Sequence, residues 1–126
     1  MFNRYSAIGG LAFSMMAASA SVLLAQGAAV SGTWKRPSTG AHIQAFPCAG
    51  GLGLRVVKSK TIRARGRRIM CGAKKTGPAR FEGNLRNPID GGTYYAIIEL
   101  RGDTMKLQGC ILGGLICNQE TWTRVD

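Results

Sequence analysis

The stretch DGGTYYAIIELRGDTMKLQGCILGGLICNQETWTRV, residues 90–125, decides the fold. In Thr93–Leu100, Tyr94, Ala96, Ile98 and Leu100 alternate with Thr93, Tyr95, Ile97 and Glu99. A period of two is the mark of a half-buried β-strand. Arg101-Gly102-Asp103 then makes a tight turn into a second run, Thr104–Cys110. Gly113-Gly114 turns that run into a third, Gln119–Val125. Three alternating runs joined by short turns predict an antiparallel meander.

Working towards the N-terminus, the same pattern recurs. Strands are predicted at Gly32–Arg36, Ala41–Phe46, Leu52–Lys58 and Arg80–Leu85. Breakers separate them: Cys48-Ala49-Gly50-Gly51, and Asn87-Pro88-Ile89-Asp90-Gly91-Gly92. Ser59–Pro78 is basic and poor in bulky apolar residues, so it is expected to be a long loop with a short strand at Arg68–Cys71. Seven or eight strands result, with no run of helical spacing. Rolling the meander into an up-and-down barrel would remove its exposed edges. The expected fold class is therefore all-β: a small antiparallel, lipocalin-like barrel.

Gly32-Thr33-Trp34 in the first strand and Trp122-Thr123-Arg124 in the last resemble the lipocalin signature. The resemblance implies a plug formed by Gly32, Trp34, Trp122 and Arg124, with Trp34 across the closed end and the Arg124 guanidinium over its ring. Such a contact is worth about 0.5–2 kcal/mol. A longer series is more specific. GTW, FPCAGGLGLRVV, FEG, DGGTYYAIIEL and MKLQGCILGGLICNQETWTRV follow in order. That series resembles the exported bacterial family catalogued as domain of unknown function 2147, across Gly32–Val125. The resemblance implies a lipocalin-like barrel in the periplasm and names neither ligand nor reaction. The chain departs at one point: many members have a second Cys five positions after the first, where Gly53 stands here, and this chain has Cys71 instead.

Four cysteines allow three pairings. Cys110 and Cys117 flank the Gly-Gly turn, which would bring their α-carbons within bridging distance. Cys48 is then left with Cys71. In the chain-entropy model these loops are worth about 2.5 and about 3.4 kcal/mol. A domain this small has a margin of only about 5–10 kcal/mol, so both would matter. A zinc site is not expected, because intervening stretches of 22, 38 and 6 residues do not give paired ligands. Nor does any Cys-x-x-Cys suggest redox chemistry.

Disulfides fit the start of the chain. Met1–Tyr5 carries Arg4 and no acid, and Ala7–Leu24 is 18 uncharged, apolar or small residues. Small residues at Ala25-Gln26-Gly27 and Gly27-Ala28-Ala29 suit a signal peptidase. A retained anchor is the competing reading, but Ala, Gly and Ser give the segment a weak hold on lipid. The expectation is a signal peptide over 1–27, cleaved as late as 29, and one periplasmic domain over 28–126. The protein would be peripheral to a membrane at most.

The mature part keeps sixteen Lys and Arg against six acids. Ten of these cations fall between Arg55 and Arg80 with no acid among them. Lys58, Lys60, Arg63, Arg65, Arg67, Arg68, Lys74 and Lys75 are the candidate anion-binding residues. The competing reading is a merely solubilising surface. Nucleic acid is not an expected partner, since no aromatics interleave the charges and the chain is exported.

No catalytic site is expected. His42 is the only histidine and sits in an alternating strand. Glu82 and Glu99 would have to face one another to act as a glycosidase pair. No phosphate loop, nucleophile elbow or dinucleotide fingerprint is present. No cofactor or metal is called for. Two functions remain: a binding module holding a small apolar or amphipathic ligand in the barrel, or an envelope-interaction protein. The latter would use the basic 55–80 segment on anionic lipid, lipopolysaccharide or peptidoglycan.

Overall fold

A computed structural model describes residues 30–126. The expected signal peptide, 1–27, and its cleavage site lie outside the described residues. The rest is an eight-stranded antiparallel barrel, closed in sequence order. Its strands are β1 (Gly32–Lys35), β2 (His42–Cys48), β3 (Gly51–Lys58), β4 (Arg68–Gly77), β5 (Arg80–Arg86), β6 (Thr93–Arg101), β7 (Thr104–Ile111) and β8 (Ile116–Arg124). β8 returns to β1 through Trp34↔Arg124 and Lys35↔Thr123.

Alternation in the sequence becomes inside and outside here. Along β6, Ala96 and Ile98 are fully buried, while Tyr95 is 46% exposed. Trp34, Leu54, Ile98 and Met105 are the largest wholly enclosed side chains. They meet Ile43, Val56, Met70, Phe81, Leu107 and Trp122 in one core. In an up-and-down barrel the connections fall alternately at two ends. One end carries the connections 36–41, 59–67, 87–92 and 112–115. The other carries only the short turns 49–50, 78–79 and 102–103, together with residues 30–31 and 125–126.

The structure corrects one element and shifts another. Ser59–Pro78 is not a long loop: Arg68–Gly77 is a full ten-residue strand. Alternation along it is interrupted, because the β3–β4 register shifts between Leu52 and Leu54 and again between Leu54 and Arg55. Gly72, at φ +79°, supplies the left-handed residue that such a bulge favours. The bulge puts Met70 and Ala73, three residues apart, in the core. A period-two reading misses that spacing. The remaining loop, 59–67, holds a 3-10 turn at Ile62–Ala64. The last strand also starts at Ile116, not Gln119, because Ile116 still pairs with Ile111.

Two disulfides join adjacent strands. Cys110 and Cys117 are direct register partners on β7 and β8, with α-carbons 4.1 Å apart. Cys48, at the end of β2, is joined to Cys71 on β4, across β3, at 5.2 Å. The second closes the longer loop and ties down the irregular strand.

Non-reducing peptide mass mapping should recover Cys48 linked to Cys71 and Cys110 linked to Cys117. Replacing Cys110 and Cys117 together by Ser should lower unfolding free energy by about 2.5 kcal/mol, and the Cys48–Cys71 pair by about 3.4 kcal/mol, read from denaturant midpoints. Trp34→Ala should cost about 3–5 kcal/mol, the usual range for emptying a large aromatic site in a core.

Candidate functional site

At the end with short turns, the plug residues meet. Trp34 is fully buried, and its indole N–H donates to the Val30 carbonyl at 3.1 Å. The Arg124 guanidinium lies 4.3 Å from the centre of the Trp34 ring. Arg124 also donates to the Ser31 carbonyl at 2.9 Å and sits 3.7 Å from Asp126. Gly32 is needed beside them. Its φ is +129°, and a Cβ there would stand 2.6 Å from an Arg124 nitrogen. Trp122 is buried against the same core, opposite Met105. These contacts close the barrel.

A second contact spans the same junction nearer the other end. Arg36 donates twice to Glu120, at 2.6 Å and 2.6 Å, and Ser38 donates at 3.1 Å. The hydrogen bond from Arg36 holds the Glu120 carboxyl below its ordinary range, and Glu120 in turn raises Arg36. This is a structural ion pair. The residues across β7, β6 and β5 from Glu120 are Leu107, Ile98 and Phe81.

The charged surface is divided unevenly. All six acids lie at or beyond Glu82, whereas residues 30–81 hold twelve of the seventeen Lys and Arg. β1–β4 therefore carry no acid of their own, although Glu82 on β5 stands opposite Lys74. Arg55 and Arg68 are direct cross-strand partners. Arg55 also lies 5.3 Å over the Phe46 ring. Lys35, His42 and Lys58 form one row across β1, β2 and β3. Beside that row opens a depression of about 560 Å³, lined by Lys35, His42, Lys58, Ser59, Lys60 and Arg65 among others.

The loop that completes this depression is held in place. The Gly66 amide donates to the Val56 carbonyl at 2.7 Å, and the Val56 amide to the Arg67 carbonyl at 2.9 Å. Ala64 is buried beneath it. Arg65 donates to the Ser59 carbonyl and Arg67 to the Arg63 carbonyl, at 2.7 Å and 2.8 Å. The cations are thus displayed on fixed backbone.

The candidate anion-binding residues divide accordingly. Lys58, Lys60 and Arg65 line the depression. Arg63 and Arg67 belong to the same loop, and Arg68 begins β4 beside it. Lys74 and Lys75 sit further along β4, opposite Glu82 and Phe81. Lys35 and His42 were not in the sequence-derived set, because only the strand register brings them to Lys58.

Other chemistry finds little footing. Glu82 and Glu99 do lie on neighbouring strands, but Arg80 stands between them, 3.4 Å from one and 3.6 Å from the other. Hydrogen bonds from Thr76 and Tyr95 keep Glu82 below its ordinary range, the opposite of what a general acid needs. Among the described residues, no group of three or more His, Cys, Asp or Glu is placed to hold a metal. A second depression, about 690 Å³, lies mainly outside the barrel along β6–β8, beside Cys110 and Cys117. Among the described residues, no helix is long and apolar enough to cross a membrane.

Comparison with known proteins gives one match: the family described as an uncharacterized protein conserved in bacteria (DUF2147), over residues 32–124. Neither the curated proteins nor the solved structures give a match.

The Arg36–Glu120 pair makes stability depend on pH in a defined direction. A carboxyl whose folded pKa is depressed stabilises above its unfolded pKa, and that contribution fades as pH falls through the folded value. Glu120→Gln should therefore lower the melting temperature at pH 7. The pair is partly solvated, so the cost should be about 1 kcal/mol. The gap between variant and wild type should shrink steadily below about pH 4.5.

Proposed function

The chain belongs to that bacterial family, and from this premise we propose that it is a non-enzymatic periplasmic protein that binds phosphate groups of the cell envelope on its basic wall. The periplasmic reading rests on the leader-like residues 1–27 and on the two disulfides, which persist in oxidising compartments.

The acid-free wall of β1–β4 carries the proposal. Like charges placed directly across a ladder destabilise it. Here Arg55 faces Arg68, and Lys35 and Lys58 flank His42. No Asp or Glu of residues 30–81 exists to offset them. A bound anion removes that repulsion. Each Lys or Arg near an anionic surface gains about 1 kcal/mol. Because the 59–67 loop is already fixed to β3, little ordering entropy opposes binding.

A small apolar or amphipathic ligand inside the barrel, the first reading from sequence, has less support. Trp34, Leu54, Ile98 and Met105 are fully enclosed by neighbouring side chains. The depression at Lys35–Arg65 lies on the outer wall, and the other is mainly outside as well.

The test is co-sedimentation with phosphatidylglycerol vesicles and, separately, with lipopolysaccharide. The two arms tell a lipid headgroup from a phosphorylated sugar. Binding should fall at least tenfold between low salt and about 0.5 M salt, where exposed charges are screened. Replacing Lys58, Lys60 and Arg65 by Ala should weaken it at least tenfold. Lys106→Ala, on the opposite half of the barrel, should leave it unchanged. Equal binding to neutral phosphatidylcholine, or binding to peptidoglycan alone, overturns the proposal.

A further inference from the structure

The depression at the end of the basic wall contains one group unlike the rest. Lys35, Lys58, Lys60 and Arg65 are lysine and arginine side chains. His42 lines the same depression and is the chain's only histidine. It lies in the middle of the row, paired with Lys35 on β1 and with Lys58 on β3. It is partly buried, so its ring is reachable yet held on a strand.

No acid is in register with His42 on β1 or β3, and Glu120, which reaches the 36–41 connection before it, is bonded there to Arg36 and Ser38. β1 contributes Lys35 and, two pairs further down, Thr33; β3 contributes Lys58 and, beside Gln44, Arg55. Beyond Lys35 the row continues through Thr123 on β8 to Thr104 on β7. From the loop come Ser59, Lys60 and Arg65. The groups that the register and the depression bring beside the imidazole are cations or neutral. An oxyanion seated among Lys35, Lys58, Lys60 and Arg65 would give it a counter-charge.

We infer that this depression is a discrete, proton-responsive oxyanion site, in which protonation of His42 strengthens the hold on a phosphate group. The inference rests on the reading of the basic wall as a phosphate-binding surface, and it adds a regulated site to it. With the His42 ring neutral the site has four basic side chains beside it. With the ring protonated a further positive charge joins them. Affinity for an anion therefore rises as pH falls, and by linkage the bound anion favours the protonated ring to the same degree.

The probe is phosphatidylglycerol vesicles, whose phosphodiester keeps the same charge between about pH 5.5 and 8, so a pH effect must come from the protein. Wild type should bind about fivefold more tightly at the lower pH, the effect of one added charge at an anionic surface. His42→Gln should bind equally at both, at the strength wild type shows at pH 8. His42→Lys should bind at both with the strength wild type shows at the lower pH. Circular dichroism verifies that each variant folds. In parallel, the NMR titration midpoint of the His42 ring should move to higher pH when excess sulfate is added.

A His42→Gln variant that keeps the pH response overturns the inference, as does a midpoint that sulfate leaves in place. Salt-sensitive wild-type binding that is identical at the two pH values overturns it as well, but leaves the phosphate-binding reading standing. Absence of binding at either pH overturns both.

Discussion

The barrel depends on closing β8 onto β1, and the backbone alone does that weakly. β1 has four residues, and only two of them are in register with β8. Side chains and terminal amides supply the rest. Arg124 covers the Trp34 ring and reaches the Ser31 carbonyl. The Thr33 amide donates to Asp126 at 3.0 Å, and the Val125 amide donates back to the Thr33 carbonyl at 3.0 Å. Arg36 and Glu120 extend the junction towards the other end. The absence of a side chain at Gly32 lets these groups approach. An eight-stranded barrel without this junction would be an open sheet with two exposed edges.

Placement of the acids follows from that requirement. Glu120 and Asp126 lie at the junction, and Asp103 stands 3.9 Å from Arg124. Asp90 accepts from the Gly92 amide at 2.7 Å and so shapes the β5–β6 turn. Glu82 and Glu99 flank Arg80. Every carboxylate thus has a structural partner, Glu120 on Arg36 and Ser38 and Asp126 on the Thr33 amide among them. Residues 30–81 contribute twelve cations and no acid of their own. Charge segregation along the sequence becomes charge segregation around the barrel, because an up-and-down topology keeps consecutive strands side by side.

The architecture was legible because its signals are local. Alternation in Thr93–Leu100 and the Gly-rich turns need no knowledge of distant contacts. Gly32, Trp34 and Arg124 added the closure, through a resemblance that a strand count could not provide. Only the start of β4, Arg68–Cys71, was legible, because its bulge at Gly72 breaks the period and because Ala73, although buried, is not bulky. The cluster around the depression was half visible. Lys58, Lys60 and Arg65 lie close in sequence, so their charge stood out. Lys35 and His42 lie on other strands, and only hairpin geometry carries them to Lys58. Register is set by turns and bulges, and the bulge between His42 and Ile43 adjusts it at that very point.

The tightness of the interior gives the outer wall its importance. Successive inward positions on β5, β6 and β7 are Gly83, Ala96 and Gly109, which are register partners. Small residues on one arc leave room for large rings such as Trp34, Trp122 and Phe81. Even so, a Cβ on Gly83 would lie 2.9 Å from the Ala73 backbone. Interiors packed this closely resist added volume. The outer wall carries no such constraint: Lys35, Lys58 and Lys60 project from backbone already fixed by ladder and loop hydrogen bonds. Charges there disturb the core little, and the closed barrel holds them at constant spacing. Stability and the proposed recognition thereby fall on opposite faces of the same strands.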